Sequence, residues 1–134
     1  MSRRFFLPLV MTAAASLFAC SSSSSTNAPP EVKDFALTPT TLEVNKATAL
    51  TGGCTINDPE GDIVGLSGEL LFPDGHVVPI SDQPLAAGSA KTVPVAIQIP
   101  SLTLPAVGEY TLSVYARDSA GNHSPKVTLK LTAK

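Results

Sequence analysis

The side chains able to do chemistry in this sequence form a short inventory. Cys20 and Cys54 are its two cysteines, and His76 and His123 its two histidines. Oxygen-bearing side chains gather in two glycine-containing turns, Asp58, Glu60 and Asp62 in one and Asp118 and Asn122 in the other. Such a set suits Ca²⁺, which takes 6–8 oxygen ligands, provided the fold brings the two turns together. The same residues also do ordinary work in turns. Asp and Asn bond their own backbone, and Gly takes the left-handed conformation. The histidines form no close pair and adjoin turns, as solvated residues do. Ser124 follows His123, but no G-x-S-x-G elbow surrounds any serine. The expectation is a protein without catalysis. Calcium is the only cofactor suggested, and the default expectation is none.

The surroundings of the two cysteines differ. Arg3 and Arg4 open the chain, and an apolar stretch over 5–17 follows. That stretch is short for a membrane span, which needs about 20 apolar residues, and it suits a signal peptide. It ends in Leu17-Phe18-Ala19-Cys20, and a serine run comes next. These four residues resemble the lipobox of bacterial lipoproteins. The resemblance implies a leader over 1–19, cleavage between Ala19 and Cys20, and a diacylglycerol thioether on Cys20. The new amine would carry a further acyl chain such as palmitate. Each buried CH₂ contributes about 0.8 kcal/mol, so one chain holds marginally and two or three hold stably. In Gram-negative members of that family, Ser rather than Asp after the cysteine reads as outer-membrane sorting. Ser21 therefore implies an extracytoplasmic protein anchored to the outer membrane through lipid. With Cys20 lipidated, Cys54 lacks a disulfide partner within the chain. A buried core thiol, an intermolecular disulfide, or a catalytic or metal role are then its options.

Residues 20–30 are the lipidated cysteine and a Ser/Pro-rich linker. As a coil the linker spans about 17 Å, and stretched it reaches about 35 Å. The domain therefore stays near the bilayer. Residues 31–134 are about 100 residues, enough for one core. Charged residues are only 15% of the chain, and the seven lysines and arginines beyond the leader are scattered. Nucleic acid is therefore not an expected partner. The implied partners are the membrane, through Cys20, and an unknown protein or glycan.

From Val32 onward apolar residues recur with period two, the signature of strands. Phe35 and Leu37 share a face, Leu42 and Val44 form a short second piece, and Leu50, Cys54 and Ile56 share a parity. Gly52-Gly53 inside that strand predicts a bulge or a close backbone approach. Val64, Leu66, Leu70 and Phe72 are expected inward, followed by a Pro73-Asp74-Gly75 turn and a return strand over 76–80. Residues 81–90 read as a loop with a poor edge strand at most. Val93, Val95, Ile97 and Ile99 alternate inward, and Pro94 marks their strand as an edge or bulged. Tyr110, Leu112, Val114 and Ala116 form the next inward row, and Val127, Leu129 and Leu131 the last. About seven short strands with regular turns predict an all-β protein, an antiparallel sandwich.

The stretch Gly108-Glu109-Tyr110-Thr111-Leu112-Ser113-Val114-Tyr115-Ala116-Arg117-Asp118-Ser119-Ala120-Gly121-Asn122 resembles the penultimate strand and last hairpin of bacterial immunoglobulin-like and fibronectin type III-like domains. The resemblance implies that Tyr110 is a tyrosine corner, its ring in the core and its hydroxyl on upstream backbone. Leu112 stands where antibody-type domains carry their second cysteine, with Cys54 on the strand of the first. The fold would set the two acidic turns and the N-terminal approach, with Glu31 and Asp34, at one end. Tyr115, Arg117 and Ser113 point outward by parity, as a binding face or as ordinary exposed residues. The function implied is a lipid-anchored envelope module that recognises protein or glycan. A structural accessory lipoprotein of a larger outer-membrane complex, or a calcium-dependent adhesion-type module, are the alternatives.

Overall fold

The computed structural model describes residues 27–86 and 88–134. Eight strands run in order: β1 (Glu31–Thr38), β2 (Thr41–Leu42), β3 (Thr48–Asn57), β4 (Ile63–Leu71), β5 (Val77–Pro84), β6 (Thr92–Leu102), β7 (Gly108–Asp118) and β8 (Val127–Ala133). They form two sheets, β1-β3-β6 and β2-β8-β7-β4-β5. All pairings are antiparallel except the short β2–β8 contact. The pairs β4–β5 and β7–β8 are neighbours in space, whereas β3→β4, β5→β6 and β6→β7 each pass between sheets. That order is an immunoglobulin-like β-sandwich.

Period-two alternation sets one face of every long strand against the other sheet. Leu50 and Ile56 of β3, Val95 and Ile97 of β6, and Leu112 and Ala116 of β7 meet in a single core. Leu50, Ile56, Leu104, Tyr110 and Leu131 are fully enclosed. Each contributes about 1.5–3 kcal/mol by leaving water. Gly52 and Gly53 fulfil the close-approach expectation. A Cβ on Gly52 would lie 2.0 Å from the Ala36 carbonyl oxygen, and one on Gly53 would lie 2.4 Å from that of Val95. The central strand β3 is thus squeezed from both sides. β6, which carries Pro94, is an edge strand as its proline requires.

Two sequence expectations need correction. Val64 is 41% exposed, not inward, while Ile63 and Leu66 are buried. The β4–β7 register shifts between Ile63 and Gly65, and the shift reverses parity at the start of the strand. The return strand β5 does not stop at Ile80 but continues through Ser81, Asp82 and Gln83 to Pro84, pairing with Gly65 and Leu66 of β4. Its alternation is weak because it is an edge with little to bury. The described chain is also tied to the sandwich before Glu31. Pro30 is fully buried, and the Ala28 N–H donates to Glu60 Oε1 at 3.2 Å.

Candidate functional site

Among the described residues, polar groups gather at the tip carrying the acidic turns, and a cleft lies between the free sheet edges.

At the tip, the β3–β4 turn and the β7–β8 turn meet. Strand pairing of Ile63 with Asp118 brings them side by side. Asp118 is buried and serves its own turn. Its Oδ1 accepts the N–H groups of Ala120 at 3.0 Å and Asn122 at 2.8 Å, and its Oδ2 accepts Asn122 Nδ2 at 3.0 Å. Three donors on one carboxylate occupy most of its lone pairs. Asp58 is 1% exposed, and its Oδ2 accepts the Asp62 N–H at 2.8 Å. The Asp62 carboxylate accepts the Ser119 hydroxyl through Oδ2, while the Ser119 N–H donates to the Asp62 carbonyl at 2.9 Å. This pair of bonds ties the two turns together.

The two carboxylates Asp58 and Asp62 are in contact, and their environments differ. Burial, and after it a side-chain hydrogen bond to Asp62 and the Asp62 charge, pushes the Asp58 carboxyl above the ordinary carboxylate range. The Ser119 hydroxyl holds Asp62 below it. Two oxygens of this pair, Asp58 Oδ1 and Asp62 Oδ1, are buried with no donor. Asn27 joins the same tip. Its carbonyl accepts Asn122 Nδ2 at 3.2 Å, the following residue is bonded to Glu60, and its own Oδ1 is buried without a donor. Among the described residues no three or more His, Cys, Asp or Glu side chains are grouped to hold a metal ion. The five residues singled out in the sequence therefore divide. Asp58 and Asp62 touch, Asp118 and Asn122 bond each other, and Glu60 bonds the N-terminal segment. Sequence reading missed Asn27 because it stands in a low-complexity run, and only its hydrogen bonds reveal its place.

The second place is a cleft of about 540 Å³ where β5, the edge of one sheet, faces β6, the edge of the other. Leu66, Leu112, Val114 and Ile97 form its apolar floor, and Asp82, Gln83 and Gln98 lie on its polar rim. The Ala96 carbonyl turns into the cleft, where Gln83 Nε2 donates to it at 3.4 Å. Asp82 also pairs with Arg117 at 3.2 Å. The alternating sequence of β6 signalled a strand, but nothing in it signalled that β5 would leave this side open.

The remaining residues have structural surroundings. Tyr110 is fully buried. Its hydroxyl donates to the Ala106 carbonyl at 2.9 Å and accepts the Ala106 N–H at 3.2 Å, which is the geometry of a tyrosine corner. Cys54 is a buried free thiol, and burial pushes its pKa up. His76 stacks on Phe72 at 4.8 Å between ring centroids, and His123 lies against Tyr115 at 5.2 Å. Of the trio read as outward, Ser113 is buried, while Tyr115 and Arg117 are half-buried. The expected lipidation and cleavage residues, Ala19 and Cys20, lie outside the described residues.

No protein-family model matches the chain, and no curated protein matches it. Among solved structures, it is similar to fibronectin(III)-like modules of CbhA from Clostridium thermocellum, with a TM-score of 0.49 and 21% identity over 79% of this chain. It spans about half the length of that structure's chain, 47%. It is also similar to the SrpA adhesin of Streptococcus sanguinis, with a TM-score of 0.49 and 18% identity, over 79% of this chain and 57% of that one. A third similarity is to the PKD domain of a peptidase from a Thermoplasmatales archaeon, with a TM-score of 0.46 and 21% identity, over 78% of this chain and 92% of that one. The immunoglobulin-like topology of this chain stands on its own strand order and register.

Proposed function

We propose that the protein is a lipid-tethered, non-catalytic recognition module of the bacterial cell envelope, and that it takes an extended segment of a partner protein between β5 and β6. The observation that carries this reading is the open cleft. A cleft lined by core side chains such as Leu112 and Val114 lies between two unpaired strand edges. An added strand gains main-chain hydrogen bonds from an edge, and its alternate side chains fill apolar pockets. The Ala96 carbonyl already faces that space. Pro94 restricts pairing beyond this point, because it has no N–H to offer. The edge is therefore suited to a short, specific docking rather than open-ended sheet growth. The apolar floor favours a polypeptide over a glycan as occupant. The lipobox residues Leu17-Phe18-Ala19-Cys20 supply the anchoring half of the reading.

The test places a photo-crosslinking residue at Gln98 of the full-length protein in its own membranes. A discrete protein adduct is expected, and it disappears when Ala96→Pro removes the edge N–H. An adduct that survives Ala96→Pro, or none at Gln98 when an outer-face position such as Thr128 gives one, refutes the cleft as the docking site. Anchoring is tested separately by mass spectrometry. The mature N-terminus should be an acylated Cys20, and Cys20→Ala should accumulate precursor. A soluble protein with unmodified Cys20 refutes the tether.

A further inference from the structure

We infer that the polypeptide segment taken up between β5 and β6 is a short cationic one, with apolar side chains at alternate positions and a lysine or arginine beside Asp82. The inference rests on the cleft reading and names the chemistry of its occupant. It follows from the main-chain groups that the two free edges still offer. In an antiparallel ladder residues alternate, one turning its N–H and C=O to the paired strand and the next turning both away. In β6 the Ala96 carbonyl accepts Gln83, so Ala96 turns away from β3, and Pro94 and Gln98 share its parity. In β5 the His76 carbonyl accepts the Phe72 N–H, so Val78 and Ile80 turn toward β4 while Val77 and Pro79 turn away. Past the register shift the Leu85 N–H bonds the Val64 carbonyl, which turns Pro84 away as well.

Prolines therefore stand where N–H groups would face the opening. Pro79 and Pro84 of β5 and Pro94 of β6 have no N–H to offer, and Pro100, just beyond Ile99, has none either. Along β6 the free side keeps donors at Ala96 and Gln98, while Pro94, Ala96 and Gln98 all present carbonyls there. Such an edge accepts hydrogen bonds more than it donates them. Gln83 behaves accordingly, bringing an Nε2 donor to the Ala96 carbonyl at 3.4 Å. That distance is long for a hydrogen bond, so an incoming N–H replaces it at little cost.

The charge has the same sense. Among the described residues Asp82 is the charged side chain lining the cleft, and no lysine or arginine lines it. Arg117 donates to Asp82 Oδ2, and the Asp82 side chain is 55% exposed, so Oδ1 remains an acceptor. A strand pairing along all of β6 would leave its own carbonyls unmatched opposite Pro94 and Pro100. Pairing is thus confined to residues 96–98, and the flanks favour groups that donate without accepting. Lysine and arginine side chains are such groups. One of them satisfies Asp82 or a spare carbonyl, while the apolar side chains of the segment meet Leu66, Leu112 and Val114. An acidic segment would set acceptors against acceptors.

The test uses the full-length protein in its own membranes, with the photo-crosslinking residue at Gln98. The adduct is digested and the attached segment is sequenced by mass spectrometry. Alternating apolar residues next to a lysine or arginine are expected. Asp82→Asn should lower the adduct yield about 5-fold, the upper end for an exposed ion pair, and Asp82→Lys should lower it further. Arg117→Gln removes the competing cation and should raise the yield. Asp82 and Arg117 form a surface pair that contributes little to stability, so the variants should fold, which urea unfolding checks. An adduct whose segment lacks a basic residue, or whose yield is unchanged in Asp82→Lys, overturns this inference and leaves the cleft reading standing. A yield that falls as far in Arg117→Gln as in Asp82→Asn also overturns it, because Asp82 would then act only by holding Arg117. Absence of any adduct at Gln98 in the otherwise unaltered protein refutes both.

Discussion

Replacing Tyr110 by Phe deletes one oxygen from the most enclosed aromatic side chain of the domain. The ring stays, and with it the packing against Phe72, whose centroid lies 5.1 Å away in an edge-on arrangement. What is lost is a pair of hydrogen bonds, the hydroxyl to the Ala106 carbonyl at 2.9 Å and the Ala106 N–H to the hydroxyl at 3.2 Å. Each such bond contributes about 0.5–1.5 kcal/mol net. Ala106 itself is exposed, so water recovers part of the loss. The expected destabilisation is about 1–2 kcal/mol. Urea unfolding should show the midpoint falling with an unchanged slope, and Tm should drop by about 4–8 °C per kcal/mol for a domain of this size. Tyr110→Ala removes the ring as well and should cost about 3–5 kcal/mol. Tyr115→Phe is the control, because its ring lies half-buried on the outer face beside His123. It should change stability by less than about 0.5 kcal/mol. A neutral Tyr110→Phe together with a destabilising Tyr115→Phe would refute the corner, and with it the idea that the β6–β7 connection is pinned from the core.

Gly52→Ala should destabilise by about 3 kcal/mol or more, since its Cβ would lie 2.0 Å from the Ala36 carbonyl and must push β1 off β3; urea unfolding measures this, and a neutral result would contradict the strand spacing. Asp118→Ala should cost about 3 kcal/mol, because two backbone N–H groups and the Asn122 amide lose their acceptor, and hydrogen exchange should then rise at Ala120 and Asn122. Cys54 should resist alkylation in the folded protein and react on unfolding; rapid labelling of the native state would contradict its burial. Because burial raises the Cys54 pKa above its ordinary value of 9.0, the folded protein keeps a proton that the unfolded chain has lost. Its contribution to stability is therefore whole below about pH 9 and declines as pH rises toward the folded pKa. Cys54→Ala should remove that alkaline decline, and stability measured against pH checks it.

Much of this protein was legible before folding was considered. Period-two alternation identified the long strands and placed Leu50, Ile56, Val95, Leu112 and Leu131 in the core, because a pleated strand with one buried face must alternate. Pro94 marked an edge and Gly52-Gly53 a close approach, since each follows from what one residue type lacks: an N–H in the first case, a Cβ in the second. The expectation of a leader ending in Leu17-Phe18-Ala19-Cys20 also rests on local signals, and it lies outside the described residues. What escaped the sequence depends on register and on distant partners. The shift between Ile63 and Gly65 turned Val64 outward, and a bulge of that kind is chosen by the strand pairing across from it. β5 ran on through Ser81-Asp82-Gln83 because β4 was there to pair with it, although those residues carry no strand signal of their own. The tip was settled in the same way. Asp118 looked like a ligand and became the bonding centre of its own turn, whereas Asn27, at the end of a serine-rich run, came to hold the Asn122 amide through its carbonyl. Composition assigns a residue its chemistry, but which lone pairs remain free is decided only when the tertiary structure brings the donors.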